Sequence, residues 1–147
     1  KLFRNYMTTA VLIPTENLKE VEQFVLESIE KAVKYSGNHY NLKDVMDLIY
    51  SNKAQLWILW NEEKKDKYQG CIVSKVVTRP NTKSLNLFIV TGKNRKLWQD
   101  KIQIIEKWAK QQGCTHLETY ARPGWSRILK QHNYKVTHYL LERKLED

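Results

Sequence analysis

The stretch VTGKNRKLW, residues 90–98, joins the end of a β-rich run to the start of a helical pattern. It combines one glycine, three cations and a tryptophan. The first backbone N–H groups of a helix, together with the helix dipole, bind anions such as phosphates. The stretch is therefore either a cradle for the phosphates of a cofactor or a helix start that happens to be basic.

Further along the chain, a strand-like run carries side chains that can transfer protons. His116 and Glu118 are two residues apart and so share one face of this strand, and Tyr120 lies at its end. His132 follows in a helical pattern, and the ordinary pKa of histidine lies near neutrality. These residue types are suited to general acid and base chemistry.

The same region does not have the pattern of a metal site or of a thiol nucleophile. The spacing of Cys114, His116, His132 and His138 fits no structural zinc motif. A nucleophilic Cys114 would need an activating neighbour, and His116, two residues along the same strand, would point the same way. We therefore predict no metal.

The composition of the chain bounds its class. A length of 147 residues, 41% of them hydrophobic, predicts one domain over residues 1–147 with a sizeable core. No apolar run is long enough to span a membrane and no secretory signal is evident. Cys71 and Cys114 lie in apolar contexts, which predicts buried, reduced thiols in a cytoplasmic protein.

Charge is distributed unevenly along the chain. Residues 1–62 carry a net charge of −1 and residues 63–147 carry +10. An acidic small molecule, a phosphorylated cofactor and a nucleic acid are all compatible partners for the second part. A basic surface that only keeps the protein soluble is the alternative.

The first elements are predicted from start signals and periodicity. Residues 11–14 form a short strand closed by proline. Asn17 with Glu20 predicts a capping box at the start of one helix, and Asn41 with Asp44 predicts the start of a second, shorter helix. Apolar residues then recur at helical spacing in both segments.

The remaining runs predict a meander, a crossover and a closing strand. The β-rich runs at 55–60 and 85–90 are apolar on both faces, as expected of strands covered by helices on each side. The full series is strands at 55–60, 70–77 and 85–90, a helix from about 94 to 112, a strand at 114–121, a helix at 124–133 and a strand at 134–145. This order predicts an α/β fold with a mixed sheet.

The order of elements and several motifs resemble the GCN5-related N-acetyltransferase (GNAT) superfamily. Residues 105–135, IEKWAKQQGCTHLETYARPGWSRILKQHNYK, resemble its cofactor helix, fifth strand, fourth helix and closing strand. More narrowly, residues 31–45, 54–60 and 122–129 resemble small GNAT-like proteins of tailed phages. The resemblance covers nearly the whole chain and implies a mixed, mostly antiparallel central sheet with helices on both faces.

The resemblance implies transfer of an acetyl group from acetyl-coenzyme A to an amine. In the superfamily the fourth and fifth strands splay, the thioester lies in the gap, and the pyrophosphate rests on the start of the long helix. The residues of this chain that match those positions are Ile89, Val90, Gly92, Lys93, Asn94, Arg95, Lys96 and Trp98. In the segment of the fourth helix, Arg122 stands where the superfamily often has an asparagine that contacts the cofactor, and Trp125 stands where it has a small residue.

The phosphate loop departs from the superfamily pattern, Q/R-x-x-G-x-G/A. Its two small positions are occupied by Lys96 and Trp98, so the close approach of phosphates to the backbone is lost. Cationic side chains could still hold a diphosphate as a looser clamp. Gly92 as a simple strand end and Trp98 as a core residue are the alternatives.

The catalytic residues depart from the pattern as well. The general-acid tyrosine of the superfamily falls on Leu129, which leaves Tyr120 or His132 as substitute acids. Removing a proton from the substrate ammonium requires a base, for which Glu118 is the first candidate and His116 the second. An ordinary surface role is the alternative for each.

Two other functions are compatible with the sequence. One is an inactive GNAT-fold binding or virion-associated protein, with its cleft filled by Trp98 and Trp125 and with virion or host proteins as partners. The other is a basic nucleic-acid-binding protein, for which RPGWSR, residues 122–127, interleaves an aromatic residue with cations. The amine acceptor cannot be predicted from the sequence.

Overall fold

The computed structural model describes residues 8–35, 39–93, 96, 99–121 and 123–146. Its elements are β1 (Thr8–Leu12), α1 (Leu18–Val33), α2 (Leu42–Tyr50), β2 (Gln55–Asn61), β3 (Tyr68–Thr78), β4 (Lys83–Gly92), α3 (Ile102–Gln111), β5 (His116–Thr119) and α4 (Pro123–Lys130). None of the helices described is both long and apolar enough to cross a membrane.

The five strands form one sheet in the order β1-β2-β3-β4-β5. The pairs from β1 to β4 are antiparallel, and β5 runs parallel to β4 after the crossover through α3. The prediction of a mixed, mostly antiparallel sheet in an α/β fold is confirmed.

Helices cover both faces of the sheet. Successive apolar side chains of β2 point to opposite faces and pack against different helices. Leu56 and Ile58 pack with the buried faces of α1 and α2. Trp57 and Leu59 point to the opposite side and pack with Ile105 and its neighbours on α3. Full burial on both faces explains why this strand has no polar side.

The two predicted helix starts have different outcomes. At α2 the capping box is confirmed: the Asp44 N–H donates to Asn41 Oδ1 (2.8 Å) and the Asn41 N–H donates to Asp44 Oδ2 (2.9 Å). At α1 it is wrong, since Asn17 makes no side-chain cap. The Asn17 amide instead donates to the Glu20 carboxylate, and a 3₁₀ turn, Thr15–Asn17, leads into the helix.

Helix α3 begins later than predicted, at Ile102 rather than near residue 94. A 3₁₀ turn, Gln99–Lys101, precedes it, and Lys101 provides no side-chain cap. Lys101 places a cation at the N-terminus of the helix, where it opposes the helix dipole. Ile102, Ile105 and Ala109 form the buried stripe of this helix.

The predicted closing strand at 134–145 is wrong. Helix α4 ends at Lys130, Asn133 adopts a positive φ of 69°, and residues 134–146 form no regular secondary structure. Strand-like composition cannot form a strand without a partner edge, and none of the described strands pairs with these residues. We refer to residues 134–146 as the C-terminal segment.

Candidate functional site

Strands β4 and β5 pair over a short distance and then separate. Their register runs from Ser84 opposite His116 to Leu87 opposite Thr119. Strand β5 ends there, whereas β4 continues to Gly92. On the β5 side, no described strand pairs with the last part of β4, and we refer to this unpaired side of residues 88–92 as the opening.

A β-bulge bends β4 at the same point. In the β3–β4 ladder Val73 lies opposite Ile89, and Ser74 lies opposite Leu87, so Phe88 is an extra residue on β4. Bulges bend the strand that carries them and are frequent beside active sites. Ile89 and Val90, two of the predicted cofactor residues, therefore lie on the stretch of β4 that borders the opening.

Gly92 occupies the end of the β3–β4 ladder, opposite Gly70. A Cβ on Gly70, which has a φ of +153°, would collide with the backbone of Thr91 and Gly92. The two strands therefore approach closely here because Gly70 has no Cβ. This position favours the interpretation of Gly92 as a simple strand end over its interpretation as part of a phosphate loop.

The basic stretch after β4 is only partly described. The Lys93 N–H donates to the Gln69 carbonyl oxygen (2.7 Å), and the Lys93 ammonium pairs with Asp66 in the β2–β3 loop. Lys96 is exposed. The other predicted phosphate-site residues, Asn94, Arg95, Trp98 and Arg122, lie outside the described residues.

Two aromatic residues lie on either side of the site. Tyr120 directly follows the last β4–β5 pair and is 77% exposed, so its hydroxyl is accessible near the opening. Trp125 on α4 is half-buried and packs against the same apolar cluster as Val90. A packing role accounts for Trp125 without a ligand, whereas nothing in the core requires Tyr120.

Glu118 is held by two partners, Arg79, which directly follows β3, and Asn86 on the neighbouring strand β4. Arg79 donates two hydrogen bonds to its carboxylate, from Nη1 to Oε2 (3.1 Å) and from Nη2 to Oε1 (2.9 Å). Asn86 Nδ2 donates a third, to Oε1 (3.0 Å). The hydrogen bonds from Arg79, foremost, lower the pKa of Glu118 against the opposing effect of burial.

Asn86 has an unused hydrogen-bond acceptor. Its side chain is buried, 4% exposed, and Oδ1 has no partner among the described residues. Because Nδ2 faces the Glu118 carboxylate, the amide orientation is fixed and Oδ1 must accept a hydrogen bond from elsewhere. A buried acceptor without a donor is costly, so this atom marks a place where a ligand or a water is expected.

A cation and two aromatic rings extend this polar cluster. Lys75, opposite Asn86 in the β3–β4 ladder, lies over the rings of Tyr40 and Phe88, 5.1 Å from each centroid. The sequence reasoning missed Arg79, Asn86 and Lys75. Only Asn86 gave a signal: it is the one polar residue in the apolar run LNLFIV, residues 85–90.

The predicted histidines lie at the other end of β5. His116 begins the strand, and His132 lines a groove with Cys114 and Tyr134 beside it. The opening between β4 and β5 lies beyond Thr119, so His132 is not brought together with Glu118 and Tyr120. In the part of the chain that the structure describes, no three His, Cys, Asp or Glu side chains assemble as metal ligands.

Both cysteines are buried, as predicted, and neither forms a disulfide. Burial raises the pKa of the Cys71 thiol to about 12. A thiol with so high a pKa is almost entirely protonated at neutral pH and is a poor nucleophile.

No protein-family model matches the sequence, and no curated protein matches it significantly. Several solved structures are similar to this chain over most of its length. An aminoglycoside acetyltransferase from an uncultured soil metagenomic sample, in complex with sisomicin, has a TM-score of 0.60 at 14% identity, covering 94% of this chain and 97% of that one.

Two further structures agree over similar lengths. A Trypanosoma brucei acetyltransferase has a TM-score of 0.61 at 7% identity, covering 94% of this chain and 99% of that chain. An integron cassette protein of V. cholerae has a TM-score of 0.64 at 10% identity, covering 97% and 94%. Identities this low establish architecture alone. The chain has a GNAT-like fold.

Proposed function

We propose that the protein is an acyl-CoA-dependent N-acyltransferase that moves an acetyl group from acetyl-CoA to an amine. One observation carries the proposal: β4 continues past the end of β5, from a bulge at Phe88 to Gly92, and this opening lies beside polar side chains. The GNAT-like fold supports it, since several proteins of this fold are acetyltransferases.

The unpaired side of β4 at the opening fits an acyl-CoA arm. An extended chain with amide groups binds to an unpaired strand edge through main-chain hydrogen bonds. The backbone of Phe88, Ile89 and Val90 offers such an edge at the opening. Lys93, Lys96 and Arg95 would supply positive charge toward the phosphates, although the Lys93 ammonium must leave or share Asp66 to do so.

The acceptor amine is proposed to bind at Asn86 and Glu118. An ammonium group has donors only, and this cluster presents an unused buried acceptor, Asn86 Oδ1, beside a carboxylate. Leu85, Leu87 and Leu117 face α3, so by strand alternation Asn86 and Glu118 face the side of α1 and α2. The amine would therefore approach from that side.

Glu118 and Tyr120 are proposed to handle the protons. Acetyl-CoA supplies a thioester, whose carbonyl carbon is attacked by the lone pair of the neutral amine. Glu118 removes the ammonium proton directly or through water, and its low pKa makes it a weak base that relies on position. As the carbon–sulfur bond breaks, Tyr120 donates its hydroxyl proton to the departing sulfur, and the second proton that the nitrogen loses on becoming an amide returns to Tyr120 through water. The exposed position of Tyr120 beside the opening favours it over the distant His132.

A catalytically silent binding or virion-associated protein is the second candidate. The engaged Lys93 and the late, uncapped start of α3 favour it, because both weaken the usual anion site at a helix N-terminus. In this alternative the fold would present surfaces to other proteins without transferring an acyl group.

A thiol-release assay separates the two. The protein is incubated with acetyl-CoA and a panel of amines, including aminoglycosides because a protein of this fold binds sisomicin. Free coenzyme A and the N-acetylated product are then measured together by mass spectrometry. Equal amounts of both are expected from an acyltransferase. Tight acetyl-CoA binding without either product would favour the silent alternative.

A further inference from the structure

Lys75, Asn86 and Glu118 lie in one row across three neighbouring strands. Lys75 on β3 is opposite Asn86 on β4, and Asn86 is opposite Glu118 on β5. Residues opposite each other in a ladder share one face of the sheet. Tyr40 and Phe88, whose rings contact Lys75, pack against the core cluster of α1 and α2, so the row lies on that face. Asn86 therefore has a carboxylate on one side and an ammonium on the other.

Lys75 is a half-buried cation without a carboxylate partner. Its ammonium donates to the Tyr40 hydroxyl oxygen (2.5 Å) and lies over the rings of Tyr40 and Phe88. Within the part of the chain that the structure describes, no Asp or Glu forms an ion pair with it. An ammonium has more than one N–H to donate, and the bond to Tyr40 uses one of them. An anionic ligand would stabilise this partly desolvated charge.

The neighbouring charges already have partners. Arg79 donates both of its charge-assisted hydrogen bonds to Glu118. Glu142 lies 2.8 Å from Nε2 of His39, the residue before Tyr40. The positive charge of Lys75 is thus the one in this group that a ligand can balance.

Asn86 provides the complementary requirement. Its buried Oδ1, which has no partner among the described residues, accepts a hydrogen bond from an ammonium group. The Cβ atoms of directly opposite residues in a ladder are roughly 5 Å apart. A molecule that satisfies both Asn86 and Lys75 therefore carries an ammonium group and an anionic group a few bonds apart.

We infer that the acceptor is an amino acid, whose ammonium group binds Asn86 Oδ1 and whose carboxylate binds the Lys75 ammonium. This inference rests on the proposed acyltransferase function and names the substrate class of its acceptor site, so the product is an N-acetylated amino acid. Aminoglycosides and polyamines carry several positive charges and no carboxylate, so Lys75 and Arg79 repel them. Lys75 is thus a specificity-determining residue.

Pairs of acceptors that differ only in the carboxylate test the inference. Each standard amino acid is compared with its primary amide, which keeps the amine and loses the negative charge. Lys75→Met keeps a long side chain over the rings and removes the ammonium. For the preferred acid, kcat/KM should fall by roughly tenfold or more in this variant, with little change for its amide. Because the intrinsic reactivity of each amine is the same for every variant, the ratio of acid to amide reports recognition of the carboxylate alone.

Two further variants serve as controls. Lys75→Arg keeps the positive charge and should keep the preference for the acid. Lys107→Met removes one charge from an exposed position on α3, which packs on the opposite face of the sheet, and should leave the ratio unchanged. Transfer to amines without preference for any acid over its amide, or an equal loss for acid and amide in Lys75→Met, would overturn the inference and leave the proposed function standing.

A binding measurement separates failure of the inference from failure of acyl transfer. The same amino acids are titrated calorimetrically into the wild-type protein, Lys75→Met and Lys107→Met without acetyl-CoA. Binding that is lost only in Lys75→Met, in a protein that acetylates no amine, would support the amino-acid site and overturn the proposed function. A wild-type protein that neither binds nor acetylates any amino acid would overturn the inference.

Discussion

The hydroxyl of Thr119 donates a 2.8 Å hydrogen bond to the carbonyl oxygen of Leu87, at the last point where β5 and β4 are paired. Beyond this link the two strands separate. The bond therefore fixes where the opening begins.

Replacing Thr119 by valine should weaken this point while keeping the shape of the side chain. We expect a loss of about 1 kcal/mol in the free energy of unfolding, because one intramolecular hydrogen bond is removed. Urea denaturation of Thr119→Val and of the control Thr119→Ser measures it. Equal stability of all three proteins would show that the hydroxyl does not hold the strands together.

If Glu118 is the base, Glu118→Gln should reduce the rate of acyl transfer with little effect on acetyl-CoA affinity.

The Arg79–Glu118 ion pair leads us to expect a change in the pH dependence of the reaction. Arg79→Gln removes the main cause of the lowered pKa of Glu118, so that pKa should rise toward its usual value. Because the base is active when deprotonated, the acid limb of the kcat/KM profile should move to higher pH. An unmoved limb would mean that Glu118 is not the base.

Replacement of Asn86 should weaken binding of the amine without changing the affinity for acetyl-CoA. Replacing it by leucine removes the unused acceptor Oδ1 and the hydrogen bond to Glu118. Hydrogen bonds to charged groups contribute about 1.5–3 kcal/mol, so the KM for the amine should rise by roughly tenfold or more. The affinity for acetyl-CoA, measured on the same variant, is the internal control. A lower cofactor affinity with an unchanged amine KM would place the amine elsewhere.

The basic stretch after β4 should matter for binding through charge. Changing Lys93, Arg95 and Lys96 together to alanine should weaken acetyl-CoA binding without unfolding the protein. The matched control changes Lys31, Lys43 and Lys53, which lie on or just after α1 and α2. The ion pairs of Lys31 and Lys43 are at the surface and contribute little. Calorimetric titration compares the two. Equal affinities would mean that the phosphates bind at another place.

The order of elements from β1 to α4 could be predicted because it depends on local periodicity and turn residues. The capping box at Asn41 and Asp44 is correct for the same reason. The one at Asn17 and Glu20 has the same spacing but fails, because the two side chains bond to each other instead. A capping motif in the sequence specifies which hydrogen bonds are possible, and the backbone conformation around it determines which of them form.

The site was less predictable because its contacts join distant parts of the chain. Glu118 was identified from its type and strand position, but its partners are distant in sequence: Arg79 lies in the connection between β3 and β4, and Asn86 lies on β4. The strand predicted in the C-terminal segment does not form, for a related reason. Its composition favours a strand, yet a strand exists only when another edge completes its hydrogen bonds.

The central claim is that the opening between β4 and β5 binds acetyl-CoA, and a thermal-unfolding titration tests it most directly. At a ligand concentration of about a hundred times Kd, the bound form should be stabilised by roughly 2.7 kcal/mol. We therefore expect the melting temperature to rise with acetyl-CoA concentration and to reach a smaller shift in the Lys93, Arg95 and Lys96 triple variant. An unchanged melting temperature at millimolar acetyl-CoA would contradict the claim.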